Sequence, residues 1–409
     1  MDPQPHVLLQ AIAISAGLIQ ATNNTVRSEA YELLQNFKVY ASTDHNSARM
    51  CLQMIQSPQL VLEESHGLLN VTVSAKLFSM TVLQKYVQLQ YGKLDRKDAA
   101  MLRSNVIEAA RTTANSVGDN NNLKESECKL IASKLSDMLS DLVARDFPQR
   151  WMEFWTDLLT IWTAEEDVGI GTKICLDCLI ILIENCTDSD YNSKIDTQRR
   201  NDVLQGLNEV SGQMLPRVYS LLSTQYSQLA ASKSMIGQME AFLRQEARPP
   251  TPEEQQQYNK VIQTRDSAAK QMEPALTFLS TVCAFMPVEW MFVQNTDYDF
   301  TSVFLHLLGE STNNINVLAV TCLDKLAHRK LEESQWFRLI SCLPNAVSVA
   351  DETAISSHQT NLSPNHHIVD FLLFHKSLSK VLASLLQNHI SFVTTDKDVV
   401  SKESFPLLF

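Results

Sequence analysis

Apolar residues recur every three or four positions along nearly the whole chain, in segments that short polar breaks separate. This spacing is typical of amphipathic helices. Only 10 of the 409 residues are glycine. We find no convincing alternation of apolar and polar residues of the kind that predicts a half-buried strand. The pattern therefore predicts an all-α protein.

The predicted helices come in pairs that repeat about every 40 to 50 residues, which is the period of HEAT and armadillo repeats. The pairs are 5–20 with 24–39, 46–56 with 69–91, 95–116 with 124–145, 148–163 with 168–186, 197–246 with 253–286, 300–308 with 313–328, and 331–350 with 366–391. Turn-forming residues fill breaks such as 118–122 and 351–365. The predicted fold is a right-handed α-solenoid of HEAT-like antiparallel helix pairs.

Segment 69–91 carries apolar residues on two nearly opposite faces, with Val82 on one and Met80 on the other. A helix of this kind has to be covered on both sides, as a helix stacked between neighbouring repeats is. The pair at 197–286 is unusually long. Its halves are joined by RPPTP at 248–252, which predicts a stiff, extended connection.

Three of the five tryptophans, Trp151, Trp155 and Trp162, lie within twelve positions. The segment is too short and too polar to span a bilayer, and its arginines are balanced by acids, unlike a base-stacking platform. Helical spacing instead indicates a core made by Trp151, Phe154 and Trp155. Because proline is tolerated in a first helical turn, we predict a helix that begins near Pro148, with Asp146 as its cap.

The composition limits the classes of function. A net charge of −12 and a pI near 5.3 argue against bulk nucleic-acid binding and favour basic protein partners. Eight cysteines without a secretory signal indicate reduced core residues in a cytosolic or nuclear protein. Cys175 and Cys178 form a CxxC inside an apolar helix without a second ligand pair, so we expect no redox or metal role. No catalytic or nucleotide-binding motif is present, and we predict no enzyme activity, metal or cofactor.

Five segments carry a resemblance to a known family. RDFPQRWMEFWTDLL resembles the basic-acidic-aromatic-Pro-x-x-Trp segment of the importin-beta superfamily karyopherins, especially the exportins. The others are TVRSEAYELLQNFK (25–38), AKLFSMTVLQKYVQLQYG (75–92), IDTQRRNDVLQGLNEVSGQMLPRVYSLL (195–222) and VTCLDKLAHRKLEE (320–333). The last two are most similar to the exportin-five branch, the carriers of microRNA precursors. Thr81 and Gln84 depart from the family's pattern.

The resemblance implies a nuclear transport receptor that shuttles between nucleus and cytoplasm. Its partners would be Ran-GTP, FG-repeat nucleoporins, and a cargo that is a protein or a structured RNA, without membrane insertion. It also implies that residues 1–145 form HEAT repeats 1–3, an N-terminal Ran-binding arch. Residues 146–409 would form further repeats, and the chain would be the N-terminal portion of a longer exportin.

The same resemblance places Ran against the second helices of the first repeats. The polar positions expected to face it are Ser28, Glu32, Gln35, Lys76, Thr81, Gln84, Gln88, Lys134, Asp137 and Asp141. The structural core motif would be Pro148, Trp151, Phe154 and Trp155. The alternatives are another importin-beta-type receptor, namely an importin or an exportin for tRNA or protein, and a HEAT-repeat scaffold that does not depend on Ran.

Overall fold

The computed structural model describes most of the chain. The described residues are 4–20, 23–57, 59–64, 67–115, 125–162, 169–187, 195–246, 249–292, 299–308, 310, 315–340 and 364–388. The break predicted at 118–122 lies outside these residues, as does the part of 351–365 that precedes Pro364.

Helices account for most of the described residues, which confirms the all-α class. They are α1 Pro5–Ser15, α2 Asn24–Ala41, α3 His45–Gln56, α4 Thr72–Gln90, α5 Arg96–Asn115, α6 Glu125–Asp146, α7 Phe154–Leu159, α8 Ile170–Thr187, α9 Thr197–Glu246, α10 Pro252–Phe285, α11 Phe300–Leu307, α12 Ile315–Ala327, α13 at 333–340 and α14 Pro364–Asn388. Short 3₁₀ turns lie at Tyr91–Lys93 and Val288–Trp290.

The chain divides into two compact units, 1–209 and 210–409. In the first unit, alternate helices pack side by side in the order α4, α6, α8, while α3 and α5 pack on each other beside them. In the second unit, α10, α12 and α14 pack in the same alternating way. Helix pairs that stack on their neighbours are the arrangement predicted for a HEAT-like solenoid. The division into repeats at residue 145 stays a prediction.

Polar side chains define where several helices begin. The side chains of Asn23 and Asp44 accept hydrogen bonds from the backbone N–H of Val26 and Ser47, at 2.9 and 2.7 Å. Thr251 and Glu254 form a reciprocal capping box at the start of α10. Each cap satisfies backbone donors that the first helical turn leaves without a partner.

The first four helices share one core, in which Leu8, Leu34, Phe37, Met54 and Val82 are buried together. Helix α4 is buried on two faces, since Val82 and Met80, which point to nearly opposite sides of the helix, are both inaccessible to solvent. The two-sided burial predicted for segment 69–91 is therefore present.

A β-hairpin between α3 and α4 corrects the expectation that the chain has no strand signal. Strands β1, Val61–Glu64, and β2, Gly67–Asn70, are antiparallel, with Leu62 opposite Leu69. Leu62 packs with Ala13 and Val71 in a small core of its own. Four-residue strands give too short an alternation to stand out from the surrounding helical pattern.

Two predicted helices are shorter than expected. Helix α1 stops at Ser15 rather than near residue 20, because Gly17 adopts a φ of 72°, a left-handed conformation that suits glycine. The helix predicted for 148–163 is limited to Phe154–Leu159. Turns occupy 147–150, so Pro148 lies in a turn rather than in a first helical turn.

Candidate partner-binding surface and its supporting core

The surface predicted to bind a partner lies on α2, α4 and α6, which pack in sequence within the first unit. On α2, the residues that face the core are Ala30, Leu34 and Phe37. Ser28 and Glu32 are exposed, and Gln35 is half-buried. These three positions recur at helical spacing, so they form one solvent-facing row.

Helices α4 and α6 run in the same direction. Tyr91 and Asp146, which follow or end the two helices, are joined by a 2.6 Å hydrogen bond. Earlier along the pair, the side-chain amides of Gln84 and Gln88 both approach the Asp141 carboxylate, at 3.4 and 3.1 Å. The structure thus joins three of the sequence-predicted residues into one polar cluster between two helices.

The other two predicted positions on α6, Lys134 and Asp137, pair with each other. Asp137 forms an ion pair with Lys134 at 3.4 Å, one helical turn away. Both side chains are partly exposed, so this pair contributes at most about 1 kcal/mol to stability. Thr81 is exposed, but its hydroxyl donates to the Leu77 carbonyl at 2.8 Å.

Lys76 corrects the expectation of a solvent-facing position, because only 4% of it is exposed. Burial lowers the pKa of its ammonium group. The sequence pattern predicted the wrong environment for Lys76, because a helix that is covered on two faces has little solvent-facing surface left for a polar residue. The surface of α4 that can meet a partner is limited to the side of Thr81, Gln84 and Gln88.

Next to this surface lies the segment 151–162, called the tryptophan segment below. The structure places its first three aromatic side chains in the core. Phe154 is fully buried, and Trp151 and Trp155 are each 3% exposed. Phe147 and Trp151 both pack edge-on against Phe154, with ring centroids 5.3 Å apart in each pair. Pro148 is half-buried in the preceding turn.

Asp146 has a different role from the predicted helix cap. It is buried at the end of α6, where it accepts a hydrogen bond from Tyr91 and pairs with Arg103 of α5. The Arg103 guanidinium also lies 5.3 Å from the ring centroid of Trp151. Burial raises the pKa of the Tyr91 hydroxyl, and the Asp146 carboxylate raises it further. This cluster joins residues far apart in sequence, so no local pattern could have indicated it.

Arg199, near the start of α9, forms hydrogen bonds with the C-terminal end of α6. Its guanidinium donates to the carbonyl oxygens of Ala144 and Val143, at 2.8 and 3.5 Å. Arg329 acts in the same way on α10, where it donates to the carbonyls of Cys283 and Ala284. In both cases a cation neutralises the negative end of a neighbouring helix.

The CxxC cysteines lie in the interior of α8. Cys175 and Cys178 are both fully buried, and burial raises the pKa of each thiol. The Cys175 thiol donates to the Leu158 carbonyl at 3.3 Å. Neutral thiols buried in this way are poor nucleophiles and poor metal ligands. In the described part of the chain, no three metal-ligating side chains converge, and no helix combines the length and apolarity needed to cross a bilayer.

Comparison with known proteins adds to this geometry. Residues 128–248, which contain the tryptophan segment, Asp146 and Arg199, match the family described as exportin 1-like protein. In this segment the chain is similar to the exportins.

Two individual relatives agree with this family. The chain is 24% identical over 155 residues to Exportin-5 of Dictyostelium discoideum, and 28% identical over 160 residues to Protein HASTY 1 of Arabidopsis thaliana. The matches cover 37% and 39% of this chain, and in each case 12% of the relative. The chain therefore aligns with only a small part of either exportin-type protein.

Proposed function

We propose that this chain belongs to a nuclear transport receptor of the exportin type, which binds Ran-GTP and cargo together and carries the cargo from nucleus to cytoplasm. The observation that carries the proposal is the exportin 1-like segment at 128–248. It runs from the first turn of α6 to the end of α9, so it includes most of one helix of the candidate surface, α6, and the core beneath it.

The candidate surface supports a partner that contributes basic residues. Glu32, Asp137 and Asp141 are carboxylates on α2 and α6, and the chain as a whole carries a net charge of −12. Complementary charge raises association rates and selects partners more than it raises affinity. An acidic segment is poorly suited to bind RNA phosphates, so we assign this part of the chain to protein contacts rather than to an RNA cargo.

The proposed mechanism requires coupled binding and no chemical step. If Ran-GTP raises the affinity for cargo, then cargo must raise the affinity for Ran-GTP by the same factor. FG-repeat nucleoporins would contact the receptor during passage through the pore. A receptor of this kind shuttles between the two compartments.

The test is capture of Ran by the immobilised chain. Ran loaded with a non-hydrolysable GTP analogue is expected to be retained, and Ran loaded with GDP is expected to pass. Equal capture of both forms, or of neither, would instead favour a HEAT-repeat scaffold that does not depend on Ran.

A second measurement separates export from import once nucleotide-dependent capture is seen. An exportin binds cargo more tightly when Ran-GTP is present, whereas an importin releases it. Cargo affinity with and without Ran-GTP, measured on the full-length protein, therefore decides between the two kinds of receptor.

A further inference from the structure

A hydroxyl residue followed by proline occurs three times in the chain: at Ser57, Thr251 and Ser363. Proline-directed protein kinases phosphorylate this pair, because proline lacks the backbone N–H that another residue would leave without a partner in the kinase groove. The sequence treats the three sites alike. The structure describes the surroundings of Ser57 and Thr251, and it separates them. Ser363 lies outside the described residues.

Thr251 is exposed in the connection between α9 and α10. Its backbone is extended, with φ −69° and ψ 161°, which is the conformation in which a kinase binds its substrate. Pro249 and Pro250 precede it, and prolines keep the approach to the threonine extended as well. The acceptor residue and the segment before it therefore already have the required form.

The residues after Thr251 can also bind in a kinase groove, because little free energy is needed to detach them from the rest of the chain. Pro252 and Glu253 are exposed, and Glu254 is half-buried. Among the described residues between Ser232 and Ala268, none is buried. Opening the first turn of α10 thus removes no side chain from a core, and local opening of this kind requires little free energy.

Ser57 also has an extended backbone, with φ −61° and ψ 127°, but its surroundings are more constrained. It is half-buried at the C-terminal end of α3, and its hydroxyl donates to the Gln53 carbonyl at 2.8 Å. A phosphate there would face the negative end of the helix dipole. The chain after it is held in place, because the Leu60 N–H donates to the Thr72 hydroxyl at 2.7 Å and Leu62 is buried.

We propose that Thr251 is a phosphorylation site for a proline-directed serine/threonine kinase, independently of the transport role. The Thr251 hydroxyl oxygen attacks the γ-phosphorus of ATP, and the bond from that phosphorus to the β–γ bridging oxygen breaks. ADP leaves, and the hydroxyl proton passes to the kinase's carboxylate base. The product carries a phosphate at the exposed connection between two long helices.

The phosphate changes the cap of α10. In the unmodified chain, the Thr251 hydroxyl accepts a hydrogen bond from the Glu254 N–H at 3.3 Å, and the Glu254 carboxylate accepts one from the Thr251 N–H at 2.7 Å. A phosphate dianion can take over the first backbone N–H groups of the helix, but it repels the carboxylates of Glu253 and Glu254. The Glu254 side chain is expected to swing away from the cap, while the helix itself remains.

The test uses the whole chain carrying Ser363→Ala, so that this third site contributes nothing. A purified mitogen-activated protein kinase and ATP are added, and phosphate is located by mass spectrometry. Because modification rates follow the population of the open, extended form, incorporation at Thr251 is expected to exceed that at Ser57 by about tenfold or more. Thr251→Ala should abolish the main product, whereas Ser57→Ala should leave it unchanged.

Two further variants keep the result interpretable. Thr251→Ser retains the hydroxyl and should still be phosphorylated, and Pro252→Ala should lose most incorporation although Thr251 is intact. Circular dichroism of each variant checks that α10 still forms. Comparable phosphate at Ser57, or an unmodified Thr251 in the folded chain, would overturn the proposal.

Discussion

At the scale of single residues, the end of α6 depends on one buried carboxylate. Asp146 accepts from Tyr91, pairs with Arg103, and lies 3.7 Å from a guanidinium nitrogen of Arg150. Removing it would leave the largely buried Arg103 charge without its carboxylate partner. Breaking a buried pair from one side is costly for this reason, since the remaining charge has lost both water and its partner.

We therefore predict that Asp146→Ala lowers the free energy of unfolding by about 3–5 kcal/mol. The matched control is Asp137→Ala on the same helix. Its pair with Lys134 is partly exposed, so the loss should stay below about 1 kcal/mol. Urea denaturation followed by circular dichroism measures both. Similar losses in the two variants would show that the Asp146 cluster contributes little.

The two buried tryptophans give a second prediction. Changing either Trp151 or Trp155 to alanine should cost about 3–5 kcal/mol through the cavity left behind. Substitution by phenylalanine distinguishes the two positions, because it removes only the ring N–H along with part of the ring. The Trp151 indole N–H donates to Asp157 at 2.7 Å, whereas that of Trp155 has no hydrogen-bond partner among the described residues. Trp151→Phe is thus expected to destabilise more than Trp155→Phe in the same denaturation experiment. The reverse order would contradict this assignment of the two indoles.

At the scale of elements, α9 lies so close to the turn after α6 that one position has no room for a side chain. A Cβ on Gly206 would lie 2.6 Å from Cε1 and 2.9 Å from Cζ of Phe147, and 3.3 Å from Cγ of Pro148. The Phe147 ring is buried and packed against Phe154, so it has little freedom to move.

Gly206→Ala is predicted to destabilise the protein by about 1–3 kcal/mol, the usual cost of overpacking. Gly212 lies in the same helix, and a Cβ added there would meet nothing within 4 Å. Gly212→Ala should therefore stabilise α9 by about 0.5–1 kcal/mol through helix propensity. Thermal unfolding of both variants tests the contact, and a stabilising Gly206→Ala would rule it out.

The connection between α9 and α10 gives the second prediction at this scale. Exposed backbone without buried side chains is cut first by proteases. Limited proteolysis should nick 246–258, or the break at 351–365, before any repeat interior. N-terminal sequencing and mass spectrometry of the first fragments identify the site. A first cut within 69–91 or 148–163 would be incompatible with packed helix pairs there.

At the scale of the whole molecule, charge reversal tests where a partner binds. Glu32 is exposed, so Glu32→Lys removes an acid without breaking an internal contact that the structure shows. Its effect on stability should be within about 0.5 kcal/mol, as for most surface changes. If Ran-GTP meets this surface, its binding should weaken by about 1 kcal/mol or less and lose part of its salt dependence.

Glu209→Lys provides the control, because it makes the same charge change at an exposed position on α9. Titration of both variants with Ran-GTP at two salt concentrations is the measurement. Asp137 and Asp141 are less suitable, since their reversal also disturbs Lys134 or the amides of Gln84 and Gln88. Equal affinity of the wild type and the Glu32 variant would place the partner elsewhere.

The sequence by itself determined the helical class and the positions of most helices. Periodicity is a local property, so the spacing of the apolar residues was enough to locate these helices. The helical spacing of Ala30, Leu34 and Phe37 likewise indicates which face of α2 is buried. The buried position of Trp151, Phe154 and Trp155 could also be predicted, because aromatic residues at helical spacing usually face a core.

Only the tertiary structure decided what the polar residues do. It buried Lys76 between packed helices, changed Asp146 from an expected cap into the partner of Arg103, and turned Arg199 onto the carbonyls of another helix. It also distinguished Thr251 from Ser57, two residues with the same proline after them. The partners of a charged side chain come from distant parts of the sequence, and the burial of the pair sets the strength of their electrostatic interaction. No local sequence pattern contains this information.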